Sequence, residues 1–183
     1  MTDEEIVQRV QEGNVDDFAL LMERYREKLL RYGRRFLVDY DAIEDAVQEV
    51  FIKTFTNIQS FNLKMRFSPW IYRIAHNTYI NIIKKSGREP LTFFDPDTLL
   101  RHPSTERVDE EHMRNEDREM VREHLKDLSP KYREPIVLFY FEEKEYKEIS
   151  DILRIPISTV GVRIRRGRER IKILINKNQK ELP

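Results

Sequence analysis

Apolar positions recur at intervals of three and four along most of this chain, and they fall into runs separated by turn-forming residues. Thr2 and Glu5 have the spacing of a capping box and predict a short helix to about Gln11, which Gly13-Asn14 interrupts. Phe18, Leu21, Tyr25, Leu29, Tyr32 and Phe36 predict a second helix, from about Asp16 to Leu37. Asp41 with Glu44 predicts the start of a third, lasting to about Gln59. Its apolar face is Ile43, Ala46, Val47, Val50 and Phe51, with Phe55 and Ile58 continuing it. Ser68 predicts the cap of a fourth helix, with Pro69 at the first position, where proline is well tolerated. That helix extends to about Lys85, and Gly87 ends it.

The pattern breaks at residues 89–118, which hold three prolines, many acids and no sustained period. A stretch of this length exceeds ordinary connections inside one compact domain and reads as a linker. Its later part leads into a helical run from about Glu106 to Leu128. Ser129-Pro130 opens the next helix, to about Phe141, and Pro135 inside it predicts a bend or an early 3₁₀ turn. Tyr146, Ile149, Ile152 and Leu153 form an apolar stripe on a short helix that Ile155-Pro156 breaks. Ser158 predicts the cap of a last helix carrying Val160, Ile164, Ile171 and Leu174. A short helix, a tight turn and a capped basic helix make a helix-turn-helix. The expected architecture is all-α: two small helical domains, 1–88 and 119–183, joined by a flexible acidic linker, 89–118.

Composition narrows the function classes. The chain has 183 residues, no cysteine and five glycines, which excludes a disulfide framework and thiolate chemistry and argues against a turn-rich β protein. No apolar run approaches the roughly 18 residues of a membrane span, and Met-Thr-Asp-Glu-Glu lacks the features of a signal peptide, so a cytoplasmic protein is expected. His76, His102, His112 and His124 are scattered, and there is no phosphate-binding glycine loop or metal-ligand spacing. No catalytic residue, metal or cofactor is expected.

Charge is balanced overall, 33 bases against 33 acids, but it is strongly partitioned. Residues 61–88 hold six bases (Lys64, Arg66, Arg73, Lys84, Lys85 and Arg88), five aromatics (Phe61, Phe67, Trp70, Tyr72 and Tyr79) and no acid. Cations interleaved with rings suit single-stranded nucleic acid, the cations tracking phosphates while the rings stack on bases. Asn77 and Asn81, one turn apart on a helix that disfavours asparagine, offer carboxamides to a base edge. Residues 154–180 hold nine bases and a single acid, Glu169. There Arg163, Arg165, Arg166, Arg168, Arg170 and Lys172 surround a helix that suits duplex DNA. On the third predicted helix Asp45, Gln48, Glu49 and Ile52 share one face, a surface for a basic partner helix. Read alone, that stripe is more simply a solvated face.

Together these motifs resemble the bacterial extracytoplasmic-function (ECF) sigma factors of the sigma-70 family, over nearly the whole chain except the linker. Asp41 to Ile52 resembles region 2.2, Phe67 to Asn77 resembles regions 2.3 and 2.4, and Leu128 to Arg170 resembles region 4. The resemblance implies a non-enzymatic subunit of RNA polymerase that recognises −35 duplex and melted −10 DNA. It implies that Asp45, Gln48, Glu49 and Ile52 meet the β′ coiled coil of core polymerase, which with the β subunit forms the partner. It implies −10 contacts from Phe61, the loop Asn62–Arg66 with Asn62, Lys64 and Arg66, and from Trp70, Arg73 and Asn77. It places −35 contacts on Ser158, Thr159, Arg163, Arg165, Arg166 and Arg168, and adds an anti-sigma factor, often membrane-tethered. The chain departs from the family pattern at two places. Gly161-Val162 stands where relatives carry a basic or polar pair, which shifts base reading toward the arginines or DNA shape. Pro69 replaces a common threonine. The rival reading is a free-standing helix-turn-helix regulator, which would bind duplex tightly without polymerase and have no use for Asp45, Gln48 and Glu49.

Overall fold

The computed structural model describes residues 1–37, 39–85 and 124–180. They fall into two compact units, within 1–93 and within 94–183. Gly87, the run from Glu106 and the linker 89–118 lie outside the described residues, apart from the end of that run near Leu128. In the first unit α1 (Asp3–Gln11), α2 (Phe18–Gly33), α3 (Tyr40–Asn57) and α4 (Phe67–Lys85) pack around one core. The second contains α5 (Pro130–Tyr140), α6 (Tyr146–Leu153) and α7 (Ile157–Lys180). No strand occurs among the described residues.

The core of the first unit is aromatic. Tyr32, Tyr72, Tyr79 and Phe67 are fully buried. Tyr32 meets Tyr72 at 5.3 Å and Phe36 meets Tyr79 at 5.5 Å between ring centroids. A buried phenol needs a partner for its hydroxyl, and Tyr79 donates to the Leu29 carbonyl at 2.9 Å. The helix ends fit closely around these rings. A Cβ on Gly33 would stand 3.0 Å from Ile43 Cγ2 and 3.2 Å from Tyr79 Cζ, so any side chain at the C-terminus of α2 would need these neighbours to give by a few tenths of an ångström.

The capping box of Thr2 and Glu5 forms as expected, but three other predicted starts move. Asp41 lies inside α3, and Asp39 holds the N-cap position. Glu44, its presumed capping partner, instead accepts from Tyr40 and Arg26. Ser68 and Pro69 lie within the first turn of α4, which begins at Phe67. The first N–H of that helix donates to Glu4 of α1 at 2.8 Å, so a carboxylate from another helix supplies the cap. Ser158 is the second residue of α7, not its cap; the first backbone bond there runs from Val160 N–H to the Pro156 carbonyl. Helix α2 also stops at Gly33 rather than Leu37: the amides of Arg35 and Phe36 bond only three residues back, to the Tyr32 and Gly33 carbonyls, as in a turn.

In the second unit α5 remains α-helical through Pro135, so of the expected bend or early 3₁₀ turn the 3₁₀ turn does not form within it; Leu125–Asp127 forms one before Leu128 extends. The buried Arg133 ties that turn to α5, donating to the carbonyls of Leu125 at 2.8 Å and Leu128 at 2.7 Å. The turn between α6 and α7 is set by Arg154, left-handed at φ 52°, ahead of the Ile155-Pro156 pair credited with the break. Ser150 Oγ donates to the Ile155 carbonyl at 2.6 Å and fastens it. Helix α7 then buries Val160, Ile164 and Ile171. Gly167 lies on the same seam, where a Cβ would stand 2.3 Å from Ile136 Cδ1. A side chain at that position would have to displace the end of Ile136.

Candidate nucleic-acid and protein interfaces

Helix α3 turns one face inward through Ile43, Ala46, Val47, Val50 and Phe51. Because 3.6 residues make a turn, the seam continues through Thr54 and Ile58, while Phe55 drifts outward to 42% exposure against the edge of Phe18. This corrects the expectation that Phe55 stays inside. On the opposite face Asp45, Gln48, Glu49 and Ile52 are all exposed, Ile52 to 63%. Glu49 pairs with Lys53 at 2.6 Å, and Lys53 also donates to Thr78 on α4 at 3.1 Å. That pair holds the Glu49 end of the stripe against α4. The stripe is an acidic and amide surface with one aliphatic side chain at its end, suited in chemistry to a basic helix.

The aromatic-basic segment is built differently from the sequence expectation. Phe61, Phe67, Tyr72 and Tyr79 are buried, so four of its five rings belong to the core and are not stacking platforms. Phe61 in particular offers no exposed face: it packs on Trp70 at 5.0 Å and Phe67 at 5.8 Å. Its carbonyl and that of Ile58 accept from Gln11 on α1. Trp70 is half-buried on this pair, a ring supported from behind with one side reachable. The residues from Asn62 to Arg66 are all exposed. Asn62 orders them through its own side chain, which accepts from Lys64 N–H at 3.0 Å, while its carbonyl accepts from Met65 N–H at 2.9 Å. Along α4, Arg73 is half-buried and Asn77 and Asn81 are exposed. A loop of cations and outward carboxamides therefore lies beside one accessible indole.

Helix α7 spreads its cations unequally. Ser158, Arg165, Arg166 and Arg170 are exposed; Thr159, Arg163 and Arg168 are half-buried. Arg170 is engaged over the Tyr132 ring at 4.7 Å, and Arg165 lies 3.9 Å from Glu169. Glu134 on α5 faces both Arg163 and Arg133, yet burial pushes its carboxyl up to about 7. At neutral pH it is only partly ionised, so it only partly offsets the charge of Arg163. A shallow groove lined by Tyr146, Ile164, Arg165, Arg168, Glu169 and Lys172 runs beside this surface. Among the described residues no cluster of His, Asp or Glu could hold a metal ion.

The chain matches two family models: Sigma-70 region 2 over residues 21–89 and Sigma-70, region 4 over residues 118–171. It is 33% identical over 180 residues to the ECF RNA polymerase sigma factor SigW of Bacillus subtilis, covering 91% of this chain and 92% of that one. With the ECF RNA polymerase sigma-E factor of Haemophilus influenzae it shares 34% identity over 181 residues, 94% of each chain. Its fold is similar to that of CnrH, solved in complex with the cytosolic domain of CnrY, with a TM-score of 0.70 at 20% identity, covering 96% of this chain and 97% of that one. It is also similar to the sigma factor RpoE, solved with the anti-sigma factor NepR from Bartonella quintana, with a TM-score of 0.63 at 24% identity, covering 87% and 97%.

Proposed function

We propose that this chain, which belongs to the sigma-70 family as an ECF sigma factor, divides its work among the three surfaces described above. The chain is an alternative sigma factor directing RNA polymerase to specific promoters. We assign residues 1–88 to core binding and −10 recognition, 119–183 to −35 binding, and 89–118 to the link between them. Asp45, Gln48, Glu49 and Ile52 dock on the β′ coiled coil of core polymerase. The exposed loop Asn62–Arg66, with Trp70, Arg73 and Asn77, holds unpaired −10 bases, and Phe61 acts from the core as the support of Trp70. Captured bases offset an unpairing cost of a few kcal/mol per base. The exposed side of α7 enters the −35 major groove.

The polymerase makes the bonds and this chain catalyses none. CnrH and RpoE were each solved with a second protein, NepR being an anti-sigma factor, and an anti-sigma factor of this chain would mask the same surfaces. Among the described residues no helix is long and apolar enough to cross a membrane, which is compatible with a cytoplasmic site of action.

The observation that carries the polymerase contact is the α3 stripe: Asp45, Gln48, Glu49 and Ile52 are exposed together on a helix whose other face is core. A free-standing DNA-binding regulator has no use for it. Size-exclusion co-elution with bacterial core polymerase tests the reading, with the Asp45→Ala/Gln48→Ala/Glu49→Ala variant as its pair. Co-elution of the wild type and its loss in the helical, folded variant are expected. A wild type that stays apart from core polymerase would favour the free-standing regulator.

A further inference from the structure

The exposed face of α7 carries an apolar side chain at its centre. At about 100° per residue, the buried seam of Val160, Ile164, Gly167 and Ile171 faces one way. Ser158, Val162, Arg165 and Glu169 face the other, and Val162 lies almost opposite the middle of the seam. It is 39% exposed, with Ser158 one turn before it and Arg165 and Arg166 one turn after. β-Branched valine is a poor choice for an exposed helix position on propensity alone. Its neighbour Gly161 adds a second weak helix former, and a Cβ there would meet Tyr146 Cε2 at 3.3 Å. A side chain at 161 would therefore be turned toward the Tyr146 ring. Gly161 has no side chain to compete with the valine for the leading edge of the helix.

In the major groove of DNA the apolar group on a base edge is the thymine C5 methyl, and it is met by small apolar side chains. We infer that Val162 is a specificity-determining residue that packs its methyls against the C5 methyl of a thymine in the upstream duplex, between base or phosphate contacts made by Ser158 and by Arg165 or Arg166. The inference rests on the reading of α7 as the −35 recognition helix and adds the chemical class of what it reads. Lys or Arg at this position would favour a guanine or a phosphate; valine selects thymine and tolerates its loss only at the cost of buried apolar area.

The test uses the full chain assembled with bacterial core polymerase. Promoter duplexes randomised over the upstream element are selected on this holoenzyme. The winning duplex is then resynthesised with deoxyuridine at each selected thymine in turn, which removes the methyl and nothing else. One such replacement is expected to weaken binding about three- to five-fold, the worth of one buried methyl. Val162→Ala, a substitution that favours the helix but withdraws the two valine methyls, is expected to shrink the difference between the thymine and deoxyuridine duplexes. Equal binding of every deoxyuridine duplex by the wild type would overturn the inference, as would an unchanged thymine preference in Val162→Ala. In those outcomes a selected upstream sequence would still leave the −35 reading standing. Holoenzyme that enriches no upstream sequence would overturn that reading, and the inference with it.

Discussion

Gly167 and Gly161 are both glycines inside α7, and the space beside them sets opposite expectations. At Gly167 a methyl would overlap Ile136 Cδ1, and the fully buried Ile136 side chain would have to turn within a packed seam. Gly167→Ala is expected to lose about 1–3 kcal/mol by overpacking, outweighing the gain of about 1 kcal/mol in helix propensity. Shortening the obstacle with Ile136→Val should recover part of the loss. At Gly161 the neighbour is the tip of the Tyr146 ring, itself 38% exposed and able to swing outward. Gly161→Ala is therefore expected to stabilise, by up to about 1 kcal/mol. Urea midpoints of the three variants check the signs. Nothing in the local sequence separates these two glycines, because the difference lies in which helix passes nearby.

His76 carries a second residue-scale expectation. Desolvation lowers its pKa from 6.5 to about 4, and its Nδ1 lies 3.2 Å from the Tyr32 hydroxyl. The folded state therefore holds this imidazole neutral. The unfolded chain takes up the proton first as pH falls below about 6.5, so stability declines from there to about 4 and then levels off. The loss reaches up to about 3 kcal/mol, reduced where solvent reaches the ring edge. His76→Gln keeps a polar group near Tyr32 and should flatten the stability profile over that window, as followed by denaturant unfolding at a series of pH values. The sequence shows His76 only as one of four scattered histidines; its partial burial follows from packing beside Tyr32 and Phe36.

At the scale of elements, periodicity located every described helix to within a few residues, because the core positions of a helix repeat along one segment. The ends were less legible. Glu4 accepts from Phe67 N–H across a separation of 63 residues, and a reading that searches adjacent residues for a cap finds Ser68 instead. Glu4→Ala is expected to cost about 1 kcal/mol by uncapping α4, with Glu4→Gln costing less because an acceptor remains, whereas Ser68→Ala should cost little through capping. Hydrogen exchange at the first amides of α4 checks the assignment, since only the Glu4 variants should expose Phe67. The same distinction explains the aromatic segment. Ring content and spacing were legible in the sequence, but whether a ring faces solvent or core depends on what the other helices bring against it, and here they enclose Phe61, Phe67, Tyr72 and Tyr79.

For the whole molecule, the equality of 33 bases and 33 acids would imply indifference to a polyanion if charge acted as an average. It acts locally, within a Debye length of about 8 Å at physiological salt, so a polyanion meets the cations clustered on α7 and not the chain's net charge. Here the sequence was a good guide, since one nearly acid-free helix can be read without knowing its neighbours. What it could not assign is the share of each arginine. Arg170 lies over Tyr132, whose hydroxyl is also met by Arg166, and Arg163 faces Glu134; of the three, Arg166 is exposed and lies next to the outward face. Replacing Arg166 by alanine is therefore expected to weaken promoter binding by the holoenzyme about equally across sequences and to lower the slope of log K against log salt by about 1, the signature of one lost phosphate contact. Val162→Ala removes no charge and should leave that slope unchanged while altering base preference. Salt titrations of the two variants on the same duplex thus separate attraction from reading: a change of slope in Val162→Ala, or of base preference alone in Arg166→Ala, would reverse the roles given to them here.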